Sequence, residues 1–290
     1  IFMISFIILN YKSFDDTIEC IHSIQKIKTN KKISIIVVDN NSLDSVQEKE
    51  IKKYTKDLVL LTENVGFAKG NNAGCEYAIK KYQPDFLCVI NSDTVIEQSE
   101  FIDIIYELYD QYHFDMLGPK ILPESSESCN PFYAYSTIDE VQERIHYTER
   151  LLQIYQNKLL RNLLNVYISF KKIFRKKDTS TNGVEEQINV ALHGCALIFS
   201  KKYYKQFDSV FYPNTFLFHE EEFLYLRAKQ NHLVTLYSPR LEIYHKEGQS
   251  VAKVFKNKKY DSLIFRNKEI LKSLKLLEKE MLNQDEDVNI

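Results

Sequence analysis

The chain has 290 residues, 44% of them hydrophobic, enough to bury a core in one large α/β domain or two small ones. Its 38 Lys and Arg nearly balance 40 Asp and Glu, which excludes a global attraction to nucleic acid. The five cysteines, at 20, 75, 88, 129 and 195, form no CxxC pair, which excludes a zinc knuckle and a disulfide framework and leaves reduced thiols as the expectation.

In chain order, the first element is an apolar strand from Met3 to Leu9. Ile1 to Leu9 lacks the basic flank and cleavage site of a signal peptide, and no apolar run reaches the roughly 20 residues that span a bilayer. Met3 reads as the natural start, with Ile1 and Phe2 as additions, and the protein as cytosolic. Asp15 and Asp16 are expected to cap a helix whose Ile18, Ile21, Ile24 and Ile27 recur at helical spacing. A second buried strand, Ile33 to Val38, ends in the turn chemistry of Asp39-Asn40-Asn41-Ser42, and Leu58 to Leu61 is a short third. Asn64-Val-Gly-Phe-Ala-Lys-Gly-Asn-Asn72 opens a helix running to about Tyr82, and the strand Phe86 to Ile90 delivers Asn91 and Asp93 to its carboxyl end. This succession implies a parallel, doubly wound sheet whose strand ends at Asn10, Asp39, Asn64 and Asp93 share one edge. Open α/β sheets bind ligands at that edge.

Asp93 there is placed to hold a divalent metal against a phosphate, or simply to cap the next helix. Gly66, Gly70 and Gly74 are spaced by four and match neither a dinucleotide fingerprint nor a phosphate loop. They allow either a helix start close to an anion or close helix-to-sheet packing. Further on, Asn189 to Ser200 reads as a strand around His193-Gly194, and Glu220-Glu221-Glu222 opens a helix. Three adjacent carboxylates repel, so one is expected to hold its proton more tightly, as a general base near neutrality requires; ordinary macrodipole pairing is the plainer account. His245 ends the strand Leu241 to Tyr244, where an imidazole can ligate a metal. His22, His113, His146 and His232 read as structural or surface residues.

Between the halves, an insertion runs from Pro123 to Glu186. At about 100° per residue, Leu152, Tyr155, Leu159, Leu163, Val166, Phe170 and Ile173 fall on one side, opposite Arg150, Lys158, Arg161, Lys172, Arg175 and Lys176. A basic amphipathic helix over 150–177 can lie on an anionic membrane, or pack its stripe on the main domain or a partner subunit, which would make the protein a homo-oligomer. Lys176 to Glu186 reads as a loop, Lys258 to Met281 as a closing helix, and Asn283 to Ile290 as frayed.

Five stretches in order, Ile7-Ile-Leu-Asn-Tyr-Lys12, Val37-Val-Asp-Asn-Asn-Ser42, Asn64 to Asn72, Asn91-Ser-Asp93, and Glu220-Glu-Glu-Phe-Leu-Tyr-Leu-Arg227 with His245-Lys-Glu-Gly-Gln-Ser250, give the chain a wider resemblance. It resembles, over residues 3 to about 270, the inverting family-2 glycosyltransferases of GT-A fold, especially the bacterial rhamnosyltransferase-like branch that builds surface polysaccharides such as capsule. The resemblance implies a Rossmann-like, mostly parallel sheet with helices on both faces, plus a helical insertion and a C-terminal helix. It implies a donor-binding set of Asn10, Tyr11, Asp39, Asn41, Asn64, Gly66, Lys69, Asn71, Asn91, Ser92 and Asp93, with Asp39 on the pyrimidine base. Asp93 and His245 would hold a divalent metal, Mn or Mg; Asn91 replaces the first acid of the DxD motif. Glu221 falls at the catalytic base, with Glu in place of Asp, and Glu220 or Glu222 are alternatives. His193, Gly194 and His219 are expected on the acceptor side.

The implied organisation is 3–122 as a nucleotide-sugar half, 123–186 as the insertion, 187–257 as the acceptor and catalytic half, and 258–290 as the closing helix and tail. The implied partners are a UDP- or dTDP-linked sugar and a glycan or lipid-linked glycan, with no nucleic acid and with peripheral membrane contact through 150–177. Two rivals share parts of this pattern. A sugar-nucleotide nucleotidyltransferase needs a basic glycine-rich loop near its start, and Asn10-Tyr11-Lys12-Ser13 has no glycine. A catalytically silent nucleotide-sugar binder would not need Glu221, Asp93 and His245 together.

Overall fold

The computed structural model describes residues 2–123, 130–162, 185–246, 255 and 258–287. Its strands are β1 (Met3–Asn10), β2 (Lys32–Asp39), β3 (Asp57–Leu60), β4 (Phe86–Asn91), β5 (Thr94–Val95), β6 (Met116–Pro123), β7 (Gln187–Ile188), β8 (Ala196–Ser200) and β9 (Thr235–His245). Its helices are α1 (Phe14–Gln25), α2 (Ser45–Ile51), α3 (Phe67–Tyr82), α4 (Phe101–Tyr112), α5 (Ile138–Gln156), α6 (Lys201–Gln206), α7 (Glu220–Gln230) and α8 (Lys259–Asp287).

Among the described residues one sheet runs β3-β2-β1-β4-β8-β6-β9-β5, with β7 on β9. Its first four strands are parallel, and the register sets Asn10 opposite Asp39 and Leu9 opposite Asn91. The expected shared edge is therefore real. Beyond β4 the sheet is mixed: β8 lies antiparallel to both β4 and β6, and β9 returns parallel to β6. Alternation along β1 sends Ile4, Phe6 and Ile8 to a core shared with α1 and α4. Ile7 faces the opposite core, with Ala68 and Cys75 of α3, Tyr203 of α6 and Leu224 of α7. Helices thus cover both faces, and Cys20, Cys75, Cys88 and Cys195 are buried free thiols.

Several local expectations change. The N-cap of α1 is Ser13, which makes no side-chain cap bond, and Asp16 instead meets Lys246 at 3.0 Å. Of the expected strand Asn189 to Ser200, Ala196–Ser200 forms β8 and Ala191 makes one isolated bridge with Phe132, while Gly194 and Cys195 turn between them and His193 precedes that turn. That turn's backbone is satisfied by side chains, as the His193 N–H bonds Asn130 Oδ1 at 3.0 Å, so a strand ladder is not needed there.

The described residues divide into two units, one within 1–134, 182–216 and 220–250, the other within 135–181, 217–219 and 251–290. In the second, a capping box of Thr137 and Glu140 starts α5, and Val141, Ile145 and Leu152 bury one face of it. Ile270, Leu274 and Leu277 of α8 are buried too, and the pairs Gln142–Glu278 and Lys275–Glu149, each at 2.8 Å, tie the two helices. The helix expected over 150–177 is not continuous: Asn157 is extended, with φ −99° and ψ 118°, and accordingly breaks the stripe between Tyr155 and Leu159. Residues 158–162 are helical again, and the rest of that expectation, 163–177, lies outside the described residues. The closing helix continues to Asp287, past the expected end. No helix among the described residues is long and apolar enough to cross a membrane.

Candidate active site at the sheet edge

Asn10 and Asp39, paired across β1 and β2, start the site. Asn10 Nδ2 donates to Asp39 Oδ1 at 2.9 Å, and Asp39, 3% exposed, also accepts from Ser42 Oγ, Ser42 N–H and Leu43 N–H. Each of its oxygens thus holds two donors, which shapes the 39–43 turn. Asn41 in that turn is exposed with φ 59°, and Tyr11 is half-buried under the Lys12 ammonium at 5.3 Å. Asn40 was not singled out from sequence, yet it joins two loops: its Nδ2 donates to Gly66 O at 3.1 Å and its Oδ1 accepts the Val65 N–H at 2.9 Å.

The start of α3 is shaped by glycine for two different reasons. Gly66 has φ +87°, and a Cβ there would lie 2.3 Å from Phe216 O. Gly70 and Gly74 instead press α3 onto Leu9, Ile7 and Val38, so packing explains them. The backbone N–H groups of 65–67 are each engaged within the protein. Val65 N–H goes to Asn40, Gly66 N–H to Asn64 Oδ1 at 3.0 Å, and Phe67 N–H to Phe216 O at 2.7 Å. Lys69 is exposed, while Asn71 is buried, its Nδ2 on Phe67 O at 3.1 Å and its Oδ1 without a hydrogen-bond partner among the described residues. Asn72, also missed, exchanges two bonds with the Phe211 backbone at 2.9 and 2.8 Å.

β4 ends at Asn91, whose N–H donates to Cys195 O at 2.8 Å, and Ser92 Oγ meets Ser13 Oγ at 2.8 Å. The chain then turns into β5, which pairs antiparallel with β9 so that Thr94 faces His245. This pairing brings Asp93 to His245 across 152 residues: His245 Nε2 and Asp93 Oδ1 lie 3.2 Å apart, both side chains at most 10% exposed. Neighbouring ligands of one octahedral ion, at about 2.1 Å each, stand roughly 3 Å apart, so this pair fits two positions around a divalent cation. His245 Nδ1 is buried without a partner among the described residues. No group of three or more His, Cys, Asp or Glu side chains converges there among the described residues, so other ligands would come from substrate or water. Lys246 anchors the pair's flank on Asp16 at 3.0 Å and Glu19 at 2.6 Å; burial pulls its pKa down, but these two hydrogen bonds outweigh it and the net shift is upward.

The turn 193–195 links this pair to the acidic helix. The His193 ring lies 6.4 Å from that of His245, Cys195 N–H donates to His193 Nδ1 at 3.2 Å, and Gly194 N–H donates to Glu221 Oε1 at 3.0 Å. A Cβ on Gly194 would sit 2.8 Å from that oxygen. Asn130, fully buried and not foreseen, fastens the turn to β6 through Pro119 O at 2.8 Å and His193 N–H at 3.0 Å. Behind Glu221, Arg227 fixes α7 by bonding Tyr203 OH at 2.8 Å and the Ser209 and Val210 carbonyls at 2.9 Å. Glu220 and Glu222 are buried in the first turn of α7, and Glu221 borders a small cavity lined by Leu192, Leu197 and Leu224. His219 groups with the second unit, its ring 6.0 Å from Tyr135. The 193–195 turn thus lies between the Asp93–His245 pair, with the His193 ring 6.4 Å from that of His245, and Glu221, which the Gly194 N–H bonds.

Residues 5–183 match the family model described as Glycosyl transferase family 2. No curated protein matches the chain. A crystal structure of S. aureus TarS residues 1–349 superposes with a TM-score of 0.51 at 16% identity, over 87% of this chain and 63% of that one. The same fragment in complex with UDP gives 0.51 at 15% identity, over 90% and 69%, and S. aureus TarS gives 0.51 at 16%, over 90% and 42%. The chain thus spans less than two thirds of the first structure and under half of the last. What is shared at this identity is the fold: a helix-flanked α/β sheet of GT-A type.

Proposed function

The chain belongs to glycosyl transferase family 2, and from that premise we propose that it moves a sugar from a nucleoside-diphosphate sugar to a hydroxyl of a glycan or lipid-linked glycan, with inversion. The observation that carries the reading is the convergence of Glu221, through Gly194, with the Asp93–His245 pair at the sheet's ligand-binding edge. In this reading Glu221 takes the proton from the attacking hydroxyl, the Gly194 N–H holding one carboxylate oxygen so that the other faces the reaction. Asp93 and His245 would hold Mn or Mg, which when bound offsets charge on the departing diphosphate. Asn10, Asp39, Asn40 and the Gly66 loop frame the nucleotide. TarS is seen with UDP, so uridine is the first donor to try. The order of the five sequence stretches supports the rhamnosyltransferase-like branch of surface polysaccharide synthesis, with dTDP-linked sugars as the alternative donors.

The test incubates the protein with manganese or magnesium and a panel of uridine and thymidine diphosphate sugars, and follows nucleoside diphosphate release. Release that disappears in Glu221→Gln while nucleotide binding persists is the expected result. Pyrophosphate production would point to nucleotidyl transfer instead, and binding without release to a silent nucleotide-sugar binder.

A further inference from the structure

Asp93 and His245 stand at element ends held by a very short ladder. β5 has two residues, Thr94 and Val95, which pair with His245 and Tyr244, and Asp93 lies in the turn between β4 and β5. Two ligands of one ion must keep their places to within about 0.5 Å, which a two-residue ladder does not fix by itself. Further support comes from α1 and its cap. Ser13 Oγ meets Ser92 Oγ at 2.8 Å, Cys20 Sγ lies 3.8 Å from the Thr94 hydroxyl and 3.9 Å from Asn91 O, and Ser23 Oγ accepts the Ile96 N–H at 3.1 Å. The Asp93 half of the pair is therefore fastened to α1 on both sides of Asp93 in the chain.

The His245 half reaches the same helix through the next residue. Lys246 N–H donates to Asp93 O at 3.0 Å, and its ammonium bonds Asp16 at 3.0 Å and Glu19 at 2.6 Å. The Lys246 and Asp16 side chains are 22% and 10% exposed, so that pair is sheltered from water, whereas Glu19 is 55% exposed and adds less. We propose that Lys246 is a positioning residue: by tying the end of β9 to the helix that already carries the Asp93 turn, its ammonium sets the spacing of Asp93 and His245 for a divalent cation. This rests on the metal-binding part of the transfer reading and adds what fixes the distance between the two ligands. Charge alone predicts the opposite effect of removing Lys246, because deleting a positive charge beside a cation site strengthens cation binding. The sign of the effect separates placement from charge.

Wild type, Lys246→Met and Lys246→Arg are compared in the full chain by titrating manganese under electron paramagnetic resonance, with and without UDP. A thermal melt and metal-free UDP affinity accompany each. Lys246→Met loses the charge but keeps most of the stem, and is expected to bind manganese about tenfold more weakly, the lower end of what outer-shell partners cost, with metal-free UDP affinity unchanged. Lys246→Arg keeps the charge and can bond carboxylates, and is expected to restore most of that loss. Manganese held equally or more tightly by Lys246→Met overturns the inference, as does a loss in Lys246→Arg as large as in Lys246→Met. If the Met variant does not fold, Lys246→Gln, also neutral but able to donate to Asp16, is read by the same sign. A wild type that binds no manganese under either condition overturns the inference, even where metal-free release of nucleoside diphosphate keeps the transfer reading. Manganese affinities in the expected order with release from no donor support the inference and defeat the transfer reading.

Discussion

Glu221 has one carboxylate oxygen fixed at 3.0 Å by the Gly194 N–H, so its two obvious perturbations separate chemistry from placement. Glu221→Gln keeps the shape and the bond from Gly194 but cannot take a proton. Turnover should fall on the order of 10²- to 10⁴-fold, with nucleotide affinity unchanged by calorimetry. Gly194→Ala adds a methyl 2.8 Å from Glu221 Oε1, the mobile end of a side chain, so the fold should survive while the carboxylate moves. Misplacement by about 1 Å can cost up to roughly 10²-fold, and a loss of at least about tenfold in kcat with an unshifted melt is expected. The chemical identities of Asp93, His245 and Glu221 were legible as residue types at element ends. Asn130, whose buried amide fastens the 193–195 turn, carried no such signal, because a lone Asn in an irregular stretch has no periodicity to betray it.

At the scale of elements, the site depends on how strand ends and helix starts are joined. Gly66 combines φ +87° with a Cβ position 2.3 Å from a backbone carbonyl, which cannot move aside as a side chain can. Gly66→Ala should therefore lower stability by at least about 1–3 kcal/mol and weaken nucleotide binding, read from a melt and a titration. Away from the site, Asp57 at the start of β3 accepts from Tyr77, Lys81 and Tyr82 at the end of α3, at 2.9, 2.6 and 2.5 Å. Burial works to raise its pKa, but the bonds from Lys81, Tyr82 and Tyr77 outweigh it, and the net shift is downward. A carboxylate lowered in the folded state adds stability that is complete above its unfolded pKa near 4 and lost as pH falls through the folded value. Asp57→Asn should thus melt earlier than wild type at pH 7, with the gap closing in acid as pH falls through the lowered folded value. An equal gap at both pH values would show that charge is not the cause.

For the whole molecule, the described residues divide into the sheet unit and a helical unit built on α5 and α8. Leu274, fully buried, sits where the second unit has its core, and Leu274→Ala should cost about 2–5 kcal/mol of that unit's stability in a denaturant titration. The basic, apolar pattern of 150–177 still motivates membrane docking, although the helix breaks at Asn157, beyond which Leu159 is 76% exposed. Flotation with anionic liposomes at low salt is the expected outcome, and its absence under those conditions would remove that proposal.

The amino-acid sequence by itself determined the alternation of strands and helices, the shared edge of the first four strands, and the order of chemically distinctive segments along that edge. These are local properties, set by hydrophobic period and turn chemistry over a few residues. Only the tertiary structure decided which remote segments touch. The β5–β9 pairing joins Asp93 to His245, the Asn72–Phe211 exchange ties α3 to the chain entering α7, and the 193–195 turn meets Glu221 instead of extending as a strand. Those contacts come from long-range hydrogen bonding and packing, whose partners lie too far apart in the chain for any local pattern to encode.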